Sequence, residues 1–260
     1  MLQIKVGVQL ASLRLPFRQA LLTAREMGAD AVEIDAREEL KGEELSVTGI
    51  RQIRKMLEDL NLRVAAVRFR TRRGYDVQQD LDERVDATRR TLKLAYDLGT
   101  HVVINHVGRI PAEVTHPAFQ TMVDALTDIG RHGQRVGAML AAETVAESGA
   151  DLKRLIDALP PASIGVNLNP APLIMNGQSP REVVDAVGQH VLHMNATDAT
   201  RDLSLAQGIE TPLGYGSAEI PELLAVLEEH QYRGYFTVER HQSNAPQVDL
   251  KQAITFLRNL

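Results

Sequence analysis

The chain has 260 residues, 44% hydrophobic and 24% charged, with no cysteine and no tryptophan. Disulfide frameworks, thiolate zinc sites and cysteine nucleophiles are therefore excluded, and the length suffices for a core without covalent staples. A formal charge of −5 and 4% aromatics leave no basic footprint for nucleic acid and few platforms for stacking bases.

The opening MLQIKVGVQL holds an apolar stretch too short for a secretory core or a membrane span, which points to a soluble cytoplasmic protein. No Pro-, Gly- or Ser-rich linker interrupts the chain, so residues 1–260 read as a single domain. What recurs is a junction in which an amphipathic stretch ends near a glycine and a β-rich apolar run follows. It is seen at Gly28, Gly99, Gly137 and Gly234.

In chain order these runs predict strands over Ile4–Gln9, Ala31–Asp35, Arg63–Arg68 and His101–Asn105. Four more follow over Ala138–Glu143, Ile164–Asn169, Val191–Asn195 and Tyr235–Glu239. Helical periodicity fills the gaps: Phe17, Ala20, Leu21 and Ala24 after Pro16, then Leu81, Val85, Thr88, Leu92 and Ala95 on one face, and a last helix around Leu250–Leu257. Eight strand-plus-helix units of roughly 32 residues each predict a closed (β/α)₈ TIM barrel. An open doubly wound sheet is disfavoured because no strand leads into a GxGxxG turn.

Barrel chemistry sits at the C-terminal strand ends, where residues two apart share a face. The last four strands end AAE, NLN, HMN and TVE, with polar residues on one parity and apolar on the other. If the apolar set packs against helices, then Glu143, Asn167, Asn169, His193, Asn195, Thr237 and Glu239 converge in the lumen. Burying so many polar groups is costly unless they bind one another or a ligand. Two carboxylates across a barrel mouth can hold a hard cation through oxygen, or act as acid and base about a carbon.

Six segments in order, MGADAVEID, AAET, NLNPAPLI, HMNATDA, LGYGSAEIPELL and GYFTVE, resemble the sugar phosphate isomerase/epimerase family of xylose-isomerase-like TIM barrels. The resemblance implies one divalent metal (Mg, Mn, Co or Zn) held by Glu, Asp, His and Glu on strands five to eight, with the two Glu doubling as acid and base. Carried over, the ligand positions are Glu143, Asn169, Asn195 and Glu239, and the catalytic pair is Glu143 and Glu239. Asn169 stands where the family has Asp, and Asn195 where it has His. A site with fewer charged ligands and no imidazole implies a metal weakly held or absent.

The resemblance also implies a small carbohydrate substrate, with no nucleic acid or membrane partner, and it admits a homodimer. Glu33, Arg68, His106 and His193 are the candidate substrate-binding residues. Arg68 opens a run of four arginines, RFRTRR, that reads either as a clamp for an anionic ligand or as a solvated loop paired with Asp76, Asp80 or Asp82. The segment 198–217 reads as a long loop, in which Gly214 and Gly216 either offer amides to an oxyanion or shape the turn into the next helix. Two functions remain open: an isomerase/epimerase working by metal-assisted, Glu-mediated proton transfer through an enediol, and a non-catalytic carbohydrate-binding barrel. An abasic-site endonuclease is disfavoured by the acidic charge and the scarcity of lumenal histidine.

Overall fold

The computed structural model describes residues 4–40, 45–202 and 207–260. Every expected run is a strand: β1 (Val6–Gln9), β2 (Ala31–Asp35), β3 (Arg63–Arg68), β4 (Val102–Asn105), β5 (Met139–Glu143), β6 (Ile164–Leu168) and β7 (Val191–Ala196). An antiparallel hairpin of β8 (Asp198–Asp202) and β9 (Gln207–Thr211) then precedes the last barrel strand, β10 (Phe236–Val238). Strands β1–β7 and β10 pair in parallel, each with the next, and β10 returns to β1 to close the barrel. This is the (β/α)₈ fold that the alternation predicts.

The surrounding helices are α1 (Phe17–Glu26), α2 (Val47–Asp59), α3 (Leu81–Leu98), α4 (Pro117–Val136), α5 (Gly149–Asp157), α6 (Pro170–Met175), α7 (Pro180–Val187), α8 (Ile220–Glu229) and α9 (Pro246–Arg258). Their starts follow local chemistry. Ser148 and Asp151 form a reciprocal capping box on α5, and α4, α6, α7, α8 and α9 each carry proline in the first two positions, where its missing N–H costs nothing. The predicted face of α3 is the buried one, from Leu81 through Ala95. Gly99 and Gly137 end their helices in the left-handed region that a side chain resists. Gly234 has another reason to be glycine: a Cβ there would lie 2.3 Å from the Tyr232 hydroxyl.

Alternation divides each strand end into two environments. Leu140, Ala142, Val166, Leu168, Phe236 and Val238 are buried in the apolar layer beneath the helices, and their polar neighbours face the lumen. Irregular registers at Val32/Glu33 and Val166/Asn167 set Glu33 beside Ala66 and Asn167 beside His193. Among the described residues no helix is long and apolar enough to cross a membrane.

The segment read as a long loop is instead built around one carboxylate. Asp198 is buried and accepts the amides of Ala199 and Ala218 on Oδ1 and those of Gly214 and Gly216 on Oδ2. The anion for the two glycine amides is thus the chain's own. A Cβ on Gly216 would lie 2.1 Å from Asp198 Oδ1, which explains the glycine. The hairpin is further pinned by Glu210, which accepts the amides of His241 and Gln242 after β10.

Candidate active site at the barrel mouth

The lumenal residues form two layers. In the deeper one His193, from β7, bonds through Nδ1 to Asn167 Oδ1 and through Nε2 to Thr237 Oγ1, both at 2.8 Å. Full burial, aided by Arg68 and only partly offset by the attraction of Glu33 and Glu239, pushes His193 down to about 4, so its ring is neutral at physiological pH. Asn167 then donates Nδ2 to Asn195 Oδ1 at 2.7 Å, tying this layer to the one above.

The upper layer is built on Arg68, the last residue of β3 and only 3% exposed. Its Nε donates to Glu33 Oε1 at 2.5 Å, one terminal nitrogen to Glu143 Oε1 at 2.5 Å, and the other to Asn195 Oδ1 and Glu239 Oε2, both at 3.2 Å. Burial opposes the guanidinium charge, but Glu143, Glu33 and Glu239 outweigh it and hold the pKa of Arg68 well above its ordinary value. Gln9, from β1, completes the layer by donating Nε2 to both Glu33 and Glu239.

Glu239, just past β10, is buried. Burial raises its pKa, but Arg68, His241 and the Asn169 amide lower it more, to about 2. Its carboxylate accepts from Gln9, Arg68, Asn169 and Asn195, and His241 Nε2 lies 3.7 Å away. Glu143 differs. Its Oε1 accepts from Arg68 and Asn169, its Oε2 accepts from none of the described residues, and the side chain is 11% exposed.

The structure brings together the four expected metal ligands, Glu143, Asn169, Asn195 and Glu239, but what they surround is Arg68. The amides also present the wrong atoms. Thr197 Oγ1 accepts the Ala171 amide and gives its proton to Asn169 Oδ1, so Asn169 turns Nδ2 toward Glu143 and Glu239. Asn195 spends Oδ1 on Arg68 and Asn167 and offers Nδ2 to Glu33 and Glu239. Among the described residues no three His, Asp or Glu side chains are arranged to hold a metal ion. Donor nitrogens and a guanidinium at the focus do not fit a divalent cation.

Three of the four candidate substrate contacts, Glu33, Arg68 and His193, are buried beneath the mouth with protein partners. The fourth, His106, is 42% exposed just past β4 and bonds through Nε2 to Glu147 Oε1 at 2.9 Å. Glu147 is itself fixed by the amides of Val145 and Ala146 on Oε2. That bond raises the pKa of His106 more than burial lowers it, with Glu147, Glu143 and Asp76 adding attraction. Of the remaining arginines in the run, Arg73 pairs with Asp80, and Arg70 and Arg72 are exposed.

Sequence reasoning missed Gln9, Glu147 and Glu39, the last lying beyond β2, where its Oε2 accepts the Asp35 amide at the barrel rim. Gln9 has the lumenal parity of β1 and was findable by the alternation used for the later strands. Glu147 and Glu39 lie in strand-to-helix turns, where no periodicity applies.

Fold and site together define a (β/α)₈ barrel with a polar, carboxylate-rich mouth. The family model described as xylose isomerase-like TIM barrel matches residues 21–260, and the chain belongs to that family. A curated relative, inosose dehydratase 2 of Bacillus cereus (strain ZK / E33L), is 22% identical over 223 residues, 74% of each chain. Among solved structures, a xylose isomerase domain protein from Planctomyces limnophilus superposes with a TM-score of 0.86 at 22% identity, over 98% of this chain and 96% of that one. A xylose isomerase-like TIM barrel protein from Mycobacterium smegmatis in complex with magnesium gives 0.79 at 18%, over 99% and 96%. D-psicose 3-epimerase from Clostridium cellulolyticum H10, solved with D-tagatose, gives 0.81 at 13%, over 98% and 99%.

Proposed function

We propose that the chain is an isomerase or epimerase that moves a proton at a carbon beside the carbonyl of a small sugar or sugar phosphate. The observation that carries the reading is the open oxygen of Glu143 at the mouth, with the oriented pair His106–Glu147 within electrostatic reach. Epimerases and a dehydratase of polyhydroxylated substrates among the similar proteins support the substrate class.

In this reading Glu143 Oε2 takes the proton from carbon. His106, charged more readily because Glu147 faces it, gives a proton to the carbonyl oxygen, and an enediol results. Return of the proton from Glu143 to the neighbouring carbon, with His106 taking back the proton of the adjoining hydroxyl, isomerises the substrate; epimerisation requires the enediol to turn its other face to Glu143 before the proton returns. Glu239, buried, drawn down to about 2 and accepting from four side chains, is a poor base and holds Arg68 in place instead. Arg68, fixed against Glu143, contributes positive potential where negative charge develops on the enediol oxygens.

The test is exchange in deuterium oxide with a panel of ketoses, ketose phosphates and inososes, read by mass spectrometry. Deuterium is expected to enter the substrate carbon, with the rate falling at least about 100-fold in Glu143→Gln and His106→Asn. Both variants are expected to remain folded, with a circular dichroism spectrum like that of the wild type, although Glu143→Gln gives up one ion pair to Arg68. Binding without exchange across the panel favours instead the carbohydrate-binding barrel, a reading that Asn169 and Asn195 already motivate. Neither binding nor exchange overturns both.

A further inference from the structure

We propose that Arg68 is the resident cation of this barrel: its guanidinium takes the place of a divalent metal, so the site neither needs nor admits one. Three carboxylates from β2, β5 and β10, namely Glu33, Glu143 and Glu239, close on the three nitrogens of one planar fork. Without a cation at that point, three buried negative charges would face one another across the lumen. A guanidinium answers them with fixed directions and a charge that cannot be titrated away, which neither histidine nor lysine guarantees.

The neutral residues are arranged for the same cation. Asn169 and Asn195 each present an NH₂ group to two carboxylates, which suits acceptors already oriented by Arg68. Asn169 could join a metal shell only with its amide reversed, and the Thr197 hydroxyl holds it the other way, so any metal here would be left to the carboxylates that Arg68 now covers. Arg68 also has no room to step aside, since it is enclosed in the lumen and each of its nitrogens is engaged. A divalent ion entering here would be placed against a permanent positive charge. The two asparagines at metal-ligand positions and the arginine on the opposite side of the barrel are then one coordinated exchange of counterion.

The inference stands on geometry and does not depend on the proposed reaction. Its test is metal binding in three chains: wild type, Arg68→Met, and Arg68→Met with Glu239→Gln. Metal content is measured after purification without chelator, and Mn²⁺ is titrated calorimetrically. The wild type is expected to carry no stoichiometric metal, and its melting temperature is expected to be the same in chelator and in about 1 mM Mn²⁺.

Arg68→Met uncovers the carboxylates and is expected to bind one Mn²⁺ per chain. At a hundredfold excess over Kd its melting temperature rises by roughly 5 °C or more. The double variant, with one carboxylate fewer, is expected to lose most of that gain. Stoichiometric metal in the wild type, or a Mn²⁺-induced shift in it as large as in Arg68→Met, overturns the inference. So does a folded Arg68→Met chain that takes up no metal. If Arg68→Met does not fold, the wild-type arm still decides, and Arg68→Lys, which keeps the charge without the fork, is expected to exclude Mn²⁺ as the wild type does. A chain that excludes metal yet exchanges no substrate proton defeats the proposed function and leaves this inference intact.

Discussion

The two polar layers of the lumen meet on β6, β7 and β10, where residues two apart belong to one layer and the other, yet they solve burial in opposite ways. The floor of His193, Asn167 and Thr237 is a neutral relay, in which each group donates or accepts in turn and the imidazole remains uncharged. The mouth keeps its charges, with Glu239 ionised far below the ordinary carboxylate range although it too is buried. Depth therefore does not decide the protonation state. The presence of Arg68 within hydrogen-bond distance does, because burial penalises any charge and only a paired countercharge repays it.

Removing that countercharge is the most severe way to test the contrast. Arg68→Met leaves three carboxylates buried without their cation and is expected to lose roughly 3–5 kcal/mol of stability at pH 7, measured by urea unfolding. The deficit is expected to shrink on acidification, as the uncovered carboxylates take up protons. A loss below about 1 kcal/mol would mean that solvent already screens the mouth, and the contrast between layers would fail.

The floor makes a smaller prediction with a definite pH window. His193 has a folded pKa of about 4, below the ordinary value of 6.5, so the unfolded chain gains a proton that the folded chain refuses. Its contribution is complete above pH 6.5 and is lost as pH falls toward 4, by about 3 kcal/mol in all. His193→Gln keeps a donor and an acceptor but cannot titrate. Denaturant midpoints between pH 7 and 4 are expected to fall more steeply for the wild type than for this variant. Parallel curves would show that the ring is charged in the folded state and the floor is not neutral.

The fold was legible because strand and helix periods alternate eight times, and the lumenal set on β5, β6, β7 and β10 followed from parity alone. The centre of the site was harder to read. Arg68 lies at the head of an arginine run whose other members face solvent, and charge composition treats all four alike. Only its position as the last residue of β3, at lumenal parity, separates it from Arg70 and Arg72. The β8–β9 hairpin was hidden for a different reason. It closes on the turn into α8, where backbone amides converge on Asp198 at its base, and a single buried acceptor leaves no periodic trace. His106 likewise gained its orientation from Glu147, a residue 41 positions away in a turn.

Glu39 supplies the mildest test and carries the comparison to a carboxyl without a cation. It lies after β2, where burial, helped by Asp35 and Glu33, raises it from 4.5 to about 7 despite the bond that its Oε2 accepts from the Asp35 amide. Unlike Glu239, it has no guanidinium among the described residues to hold its charge, and so it keeps its proton up to about pH 7. Between pH 4.5 and 7 the unfolded chain has released this proton and the folded chain has not, so stability falls as pH rises through that window and levels off above it. Glu39→Gln retains an acceptor for the Asp35 amide and removes the titration. The variant is expected to match the wild type near pH 4.5 and to exceed it by about 1–2 kcal/mol at pH 8, the partial exposure of the side chain keeping the gain modest. Urea midpoints at the two pH values decide it. An equal difference at both would mean that Glu39 is ionised in the folded chain, and that some cation other than Arg68 serves the β2 rim.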